Sequence, residues 1–373
     1  MRITAASIAL IFLFAASERP LQAAGTDPAL RQTTEIISAL KSNYVDREKL
    51  DGKTLDDATV AGILEALGSG ATIVSSEPVT TNSQKTAIHE SNPVRPIART
   101  EIIDPNIGYI RFADVSDGTV TALDIGLAKL TEDKANGFVL DLRFADGTNY
   151  TAAAEIASRF VSGGEELFTL KSSEKGAKVF HSNAETKPVA SAGLDLTAAP
   201  LVLLVNAETR GSAEELAGAL RAHDRGIVIG SKTAGTAAAW KDVKLSDGQV
   251  LRLATAKVVL PANDEETGKP VNLFPNGITP DVTVKINAKV ERDTVLAAET
   301  NQTLTASLQP RLQKKGLTEA ELVKAFRGQA VDTSITSTNK DSEEESDIQN
   351  VRDVVLQRAV DILKGIRVLL SWE

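Results

Sequence analysis

The sequence predicts an α/β protein: a parallel-sheet core, preceded by a helical segment and followed by a terminal helix. Three observations carry this. Nearly continuous apolar runs at 137–142, 201–205 and 226–230 suit strands covered on both faces. Segments of helical periodicity at 119–130, 151–161 and 212–223 fall between or beside them. A strand–helix–strand–helix–strand order builds parallel strands with crossover helices.

Taken in order, residues 1–24 have the layout of a secretory signal peptide. Arg2 is followed by an apolar run at 5–16, interrupted by Ser7, and then a short polar stretch leads to Ala23 and Ala24. The run is shorter than the ~20 residues of a membrane span. The expectation is export, to a periplasmic or extracellular location, with no membrane span left after signal cleavage. Residues 25–76 form a helical segment. Asp27 and Pro28 read as an N-cap and first helical position, Leu30, Ile36, Ile37, Leu40 and Tyr44 follow at helical spacing, and a second helix at 55–67 stops at Gly68-Ser69-Gly70. Residues 77–106 read as a polar, proline-containing linker.

The core spans 107–330 and opens on the alternating strand 107–112. Residues 249–260 alternate and are β-branched, as in an outer strand. Thr318 and Glu321 form a capping box that opens a short helix reaching Phe326. Residues 331–350 are a polar acidic linker. In 351–373, Val351, Val354, Val355, Ala359, Ile362, Leu363 and Ile366 make an amphipathic helix expected to dock on its own domain.

Composition narrows the chemistry. The 373 residues carry a net charge of −9, which argues against nucleic acid or an anionic membrane as main partner. With no cysteine, thiolate nucleophiles, thiolate metal sites and disulfides are excluded, and any histidine chemistry must use His89, His181 or His223. His89 and His181 lie in polar stretches without metal-ligand spacing and read as surface residues. His223 closes a helix, where a cation suits the C-terminus. No cofactor is expected: Thr233-Ala234-Gly235-Thr236 lacks the lysine of a phosphate loop.

Ordered motifs then carry a resemblance. Ile107-Gly108-Tyr109-Ile110, Leu140-Asp141-Leu142-Arg143, the strand–turn–helix from Val205-Asn206 to Leu220, and Gly230-Ser231-Lys232-Thr233 occur in that order. Ser246-Asp247-Gly248 and Gly277-Ile278-Thr279-Pro280-Asp281-Val282 follow. Over roughly residues 105–285 the chain resembles the tail-specific, or C-terminal processing, serine peptidases. That resemblance implies a crotonase/ClpP-like core, a hydrolase ancestry and proteolysis of protein substrates. The family's peptide-binding PDZ domain is expected to be absent, since 77–106 is too short for one.

Active members of that family use a serine nucleophile at the helix start and a lysine base, within motifs S-A-S-A-S-E and G-E-K-T-F-G-K-G. Aligning Ala217-Gly218-Ala219-Leu220 with the family's A-G-A-L puts Gly211 in the nucleophile position and Thr236 in the base position, twenty-five residues apart as in the family. Glu214 matches its supporting glutamate. Gly147 matches an oxyanion-hole glycine, and Ser212 is the second oxyanion-hole candidate. Serine attack needs a base whose pKa suits proton removal, so glycine and threonine at these positions imply an impaired site.

Two rescues are weighed. Ser212 is one residue from the nucleophile position, but with Glu215 it also reads as a capping box. Lys232 lies four residues before Thr236, ~13 Å along an extended chain, and reads as a surface lysine. A related branch carries a histidine base where this chain has Arg111. Arg143, after Asp141, reads as half of a structural ion pair. The expectation is an exported pseudoenzyme that binds a peptide or an unfolded protein segment, with a homo-oligomer left open. The alternative is a serine endopeptidase that uses Ser212 as a displaced nucleophile.

Overall fold

The structure, a computed structural model, describes residues 28–43, 52–74, 96–183, 194–261, 270–300, 304 and 353–370. The chain divides into two units, residues 1–68 and 69–373. Described in the first are α1 (Pro28–Asn43) and α2 (Gly52–Leu67). The second helix begins three residues earlier than its apolar pattern predicts. Ile36, Val60, Ile63 and Leu67 are exposed in these helices. The signal-peptide residues, Asp27, His89, the 318–326 helix and the whole 331–350 acidic linker lie outside the described residues.

In the second unit the order is β1 (Ala71–Val74), β2 (Ile97–Asp104), β3 (Ile107–Phe112), α3 (Thr119–Glu132), β4 (Gly137–Asp141), α4 (Tyr150–Ala157), β5 (Glu166–Ser172) and β6 (Gly176–His181). There follow β7 (Leu201–Val205), α5 (Gly211–Ala222), β8 (Ile227–Gly230), β9 (Ala238–Lys244), β10 (Val250–Leu260), β11 (Val271–Asn272), β12 (Val282–Thr283), α6 (Ala288–Thr300) and α7 (Val354–Leu370).

The main sheet has the order β12–β8–β7–β4–β3–β2, parallel except for β2 at the edge. Period-two alternation splits each central strand between two cores. Phe138, Leu140, Leu201 and Leu203 face the cluster shared with α3, α4 and α5. Val139, Val202 and Leu204 face the other cluster, where Val355, Leu356, Ala359, Val360 and Leu363 of α7 cover them. The terminal helix therefore docks on its own unit, as its apolar spacing predicts.

Three expectations change. Residues 97–104, assigned to the linker, form β2, because Ile97, Ile102 and Ile103 supply the apolar contacts that the prolines before them had masked. Residues 71–74, placed in the helical segment, form β1. The 249–260 segment is no outer strand: β10 pairs with β1, β5, β9 and β11 and is the hub of a second, antiparallel sheet. Alternation reports a half-buried strand but not how many neighbours it has.

Candidate functional site

The candidate site lies past the C-terminal ends of β4 and β7, the usual place for ligands in an open parallel sheet. Two loops meet there. After β7, Asn206 accepts from the N–H groups of Phe144 and Glu208 through Oδ1, at 3.0 and 3.1 Å. The Thr209 hydroxyl donates to the carbonyl of Leu142 at 2.8 Å. The N–H of Arg210 donates to Ala145 O at 3.0 Å and that of Ser212 to Gly147 O at 2.9 Å. The 142–147 loop and the 206–212 turn are thus joined by two main-chain bonds and by bonds through the Asn206 and Thr209 side chains.

Gly211 opens α5 with φ +55°, a left-handed conformation that glycine adopts at no steric cost. A Cβ added there would overlap the carbonyl oxygen of Gly147. The reverse also holds: a Cβ on Gly147 would overlap Ser212 Oγ and Val115 O. Gly211 is thus required by the backbone of the 142–147 loop, and Gly147 by the Ser212 hydroxyl and the Val115 carbonyl.

Both oxyanion-hole candidates are engaged. The N–H of Gly147 donates to Asp146 Oδ1 at 2.7 Å, and that of Ser212 to Gly147 O. The Ser212 hydroxyl is fully buried and donates to Val115 O at 3.0 Å. The expected capping box does not form. Arg210 is the N-cap and makes no side-chain cap bond, while neither Glu215 carboxyl oxygen has a hydrogen-bond partner among the described residues. A full turn separates a box glutamate from its cap, and here helix α5 starts at Gly211, so Ser212 is already inside it.

The structure brings Gly211 and Thr236 together: the Gly211 N–H donates to Thr236 Oγ1 at 3.2 Å. Glu214 fixes the loop that carries Thr236. Its Oε1 accepts from the Thr233 hydroxyl and from Gly235 N at 2.7 Å, and its Oε2 from Thr236 N at 2.8 Å and Ala237 N at 3.0 Å. Burial pushes the Glu214 carboxyl up, and the Thr233 hydroxyl and the three N–H groups pull it back only in part. Glu215 is pushed far higher by burial. Lys232 is exposed and His223 caps the opposite end of α5, so neither joins this cluster. His181 is exposed on β6, as expected.

Beneath the loops lies a buried ion network. Arg143 donates to Asp141 through Nε at 2.9 Å and Nη2 at 2.6 Å, and to Asp353 through Nη1 at 3.1 Å and Nη2 at 2.8 Å. Tyr109 donates to Asp141 at 2.7 Å, and Arg111 stands 3.7 Å from it. Burial pushes the Asp141 carboxyl up, but the guanidiniums of Arg143 and Arg111 overcome this and hold it below its ordinary range. The expected Asp141–Arg143 pair is real. Its second carboxylate, Asp353 at the start of α7, went unforeseen because it is contributed from 210 positions later in the chain.

Beside the interlocked glycines, Thr148 and Asn149 enter the wall of a cavity of about 460 Å³, with Tyr150, Leu170, Lys178 and Phe180 among its other walls. Among the described residues, no cluster of three His, Cys, Asp or Glu could hold a metal, and no helix is long and apolar enough to cross a membrane.

Residues 106–284 match peptidase family S41. The chain is 27% identical over 249 residues to a carboxy-terminal-processing protease of Bartonella bacilliformis, covering 64% of this chain and 53% of that protein. It is 31% identical over 176 residues to a chloroplastic C-terminal processing peptidase of Tetradesmus obliquus, covering 47% and 34%. Among solved structures, the photosystem II D1 C-terminal processing protease aligns over 52% of this chain and 49% of its own, with 26% identity and a TM-score of 0.41. The chain spans 53% of the first of these curated relatives and 34% of the second. Over residues 106–284, just under half of its length, the chain is thus similar to peptidase family S41, and the relatives it matches are carboxy-terminal processing proteases.

Proposed function

We propose that this protein is an exported S41 homologue that binds a peptide or an unfolded protein segment without cleaving it, with Gly211 and Thr236 standing where active members carry the serine and the lysine. One observation carries the reading. Gly211 and Thr236 meet at 3.2 Å, yet the side-chain space at Gly211 is filled by the carbonyl of Gly147. A nucleophile there lacks not only its hydroxyl but the room for it.

The oxyanion-hole candidates point the same way, since both N–H groups already have acceptors within the chain. The buried Ser212 hydroxyl, committed to Val115 O, is poorly suited to act as a displaced nucleophile. The cavity beside Thr148, with an aromatic floor and the Lys178 ammonium at its wall, suits a peptide side chain. Export rests on the signal-peptide layout of residues 1–24.

The test incubates the purified chain and a Ser212→Ala variant with a chemically unfolded polypeptide, and follows both cleavage and binding. Binding by both proteins with intact polypeptide is expected. Cleavage that disappears in the variant would overturn the reading in favour of a serine endopeptidase.

A further inference from the structure

Glu215 sits in the second turn of α5, one turn past Ser212. It is fully buried, and neither carboxyl oxygen has a hydrogen-bond partner among the described residues. Helix α5 packs against α4, β5, β7, β8 and β10. None of these supplies a countercharge. β7 and β8 contain no ionisable residue, and Glu166 and Lys171 of β5, Arg252 and Lys257 of β10 and Glu155 of α4 are exposed. On α5 itself Arg221 is exposed and paired with Asp281, and Glu214 is held by the 233–237 loop. The remaining titratable neighbour is Tyr150, which feels Glu215, Glu214 and Asp146 together and gives its hydroxyl to Ala238 O.

A neutral carboxyl tolerates such surroundings; a carboxylate without a partner does not. Its ionisation is relieved only by admitting water. The part of α5 that adjoins both Glu215 and an exposed loop is its first turn, where Ser212 N meets Gly147 O, Ser212 Oγ meets Val115 O and Gly211 N meets Thr236 Oγ1, with Arg210 N on Ala145 O just before it. Asp146 and Thr148, on either side of Gly147, are exposed, so parting these bonds admits water to the start of the helix.

We propose that Glu215 is a pH-responsive element that couples its own ionisation to separation of the first turn of α5 from the 145–148 loop. The site is closed while Glu215 holds its proton and opens as the proton is lost. The inference concerns the conformation of the site and does not depend on whether the site cleaves or binds.

Hydrogen exchange of the full chain, read in fragments that separate 209–216 from β7, tests this from about pH 5 to about pH 8. One proton released per opening multiplies the open population about tenfold per pH unit. Base-catalysed exchange adds about tenfold, so wild-type exchange in the first turn of α5 is expected to rise about a hundredfold per unit while β7 exchanges more slowly throughout. Glu215→Gln, and Glu215→Leu as a second variant without a titratable group, are expected to rise only about tenfold per unit. The proposal is overturned if wild type and either variant share one slope, or if the first turn of α5 exchanges no faster than β7.

Discussion

The carbonyl oxygen of Gly147 lies where a side chain on Gly211 would begin. This ties two loops that are far apart in sequence into one steric unit, with the Ser212 N–H bonded to the same carbonyl. It also makes the glycine at 211 a requirement of this backbone rather than a simple loss of a hydroxyl.

Gly211→Ala should therefore destabilise strongly. A left-handed φ costs a residue with a Cβ about 1–2 kcal/mol, and displacing the Gly147 carbonyl adds to it. We expect a loss above about 2 kcal/mol in urea denaturation, with m unchanged. A loss below that would mean the 145–148 loop moves aside freely.

The double variant Gly211→Ser/Thr236→Lys writes the family's residues back into these two positions. It is expected to remain inactive on an unfolded polypeptide, because the serine's Cβ still meets Gly147 O and both oxyanion-hole N–H groups stay engaged. Measurable cleavage would establish that the loop yields to a side chain.

Glu214→Gln puts an amide nitrogen where a carboxylate oxygen accepts either two N–H groups, at Oε2, or the Gly235 N–H and the Thr233 hydroxyl, at Oε1. Whichever way the amide turns, donors face donors. The expected cost is about 2–3 kcal/mol, the size of leaving buried N–H groups unsatisfied beside a former charge, and Thr236 N–H exchange should speed up.

Much of this was legible in the sequence. The apolar runs of β4 and β7 announced buried parallel strands, and the spacing from Gly211 to Thr236 anticipated a real 3.2 Å contact. The second sheet was not legible, because β6 is mostly exposed and β5 is only partly buried, so neither shows a clear period-two pattern. The role of Gly147 was half visible: the resemblance marked it as an oxyanion-hole glycine, but only the fold shows that its carbonyl, not its N–H, points at Gly211. Glu215 was misread as a capping partner because i,i+3 spacing cannot say where a helix starts.

Asp353 caps α7 through the Leu356 N–H at 2.9 Å and neutralises Arg143 at the base of the site loop. Asp353→Ala should cost about 3–5 kcal/mol, since it leaves a buried guanidinium short of countercharge. The paired change Arg143→Met/Asp353→Leu should cost at least as much as the single one, because it also takes from the buried Asp141 the guanidinium that neutralises it and leaves Arg111, 3.7 Å away, as its countercharge. If the double variant is the more stable in denaturant, Arg111 and Tyr109 alone satisfy Asp141.

Stability against pH offers the last test. Asp141, whose folded pKa is held low, contributes stability that is lost as pH falls through the acid range. Glu215 works in the other direction. Its folded pKa is raised by burial, so above the ordinary carboxylate range the unfolded chain has lost a proton that the folded chain still holds, and stability falls as pH rises toward the folded value. Glu291, raised by burial as well, adds a slope of the same sign. Glu215→Gln removes only the first contribution and leaves Asp141 and Glu291 in place. The variant should gain on the wild type by up to about 1.4 kcal/mol per pH unit above about pH 5 in urea melts, until the folded Glu215 itself ionises. Parallel stability profiles for the two proteins would mean that Glu215 is ionised in the folded state and has a partner that neutralises it.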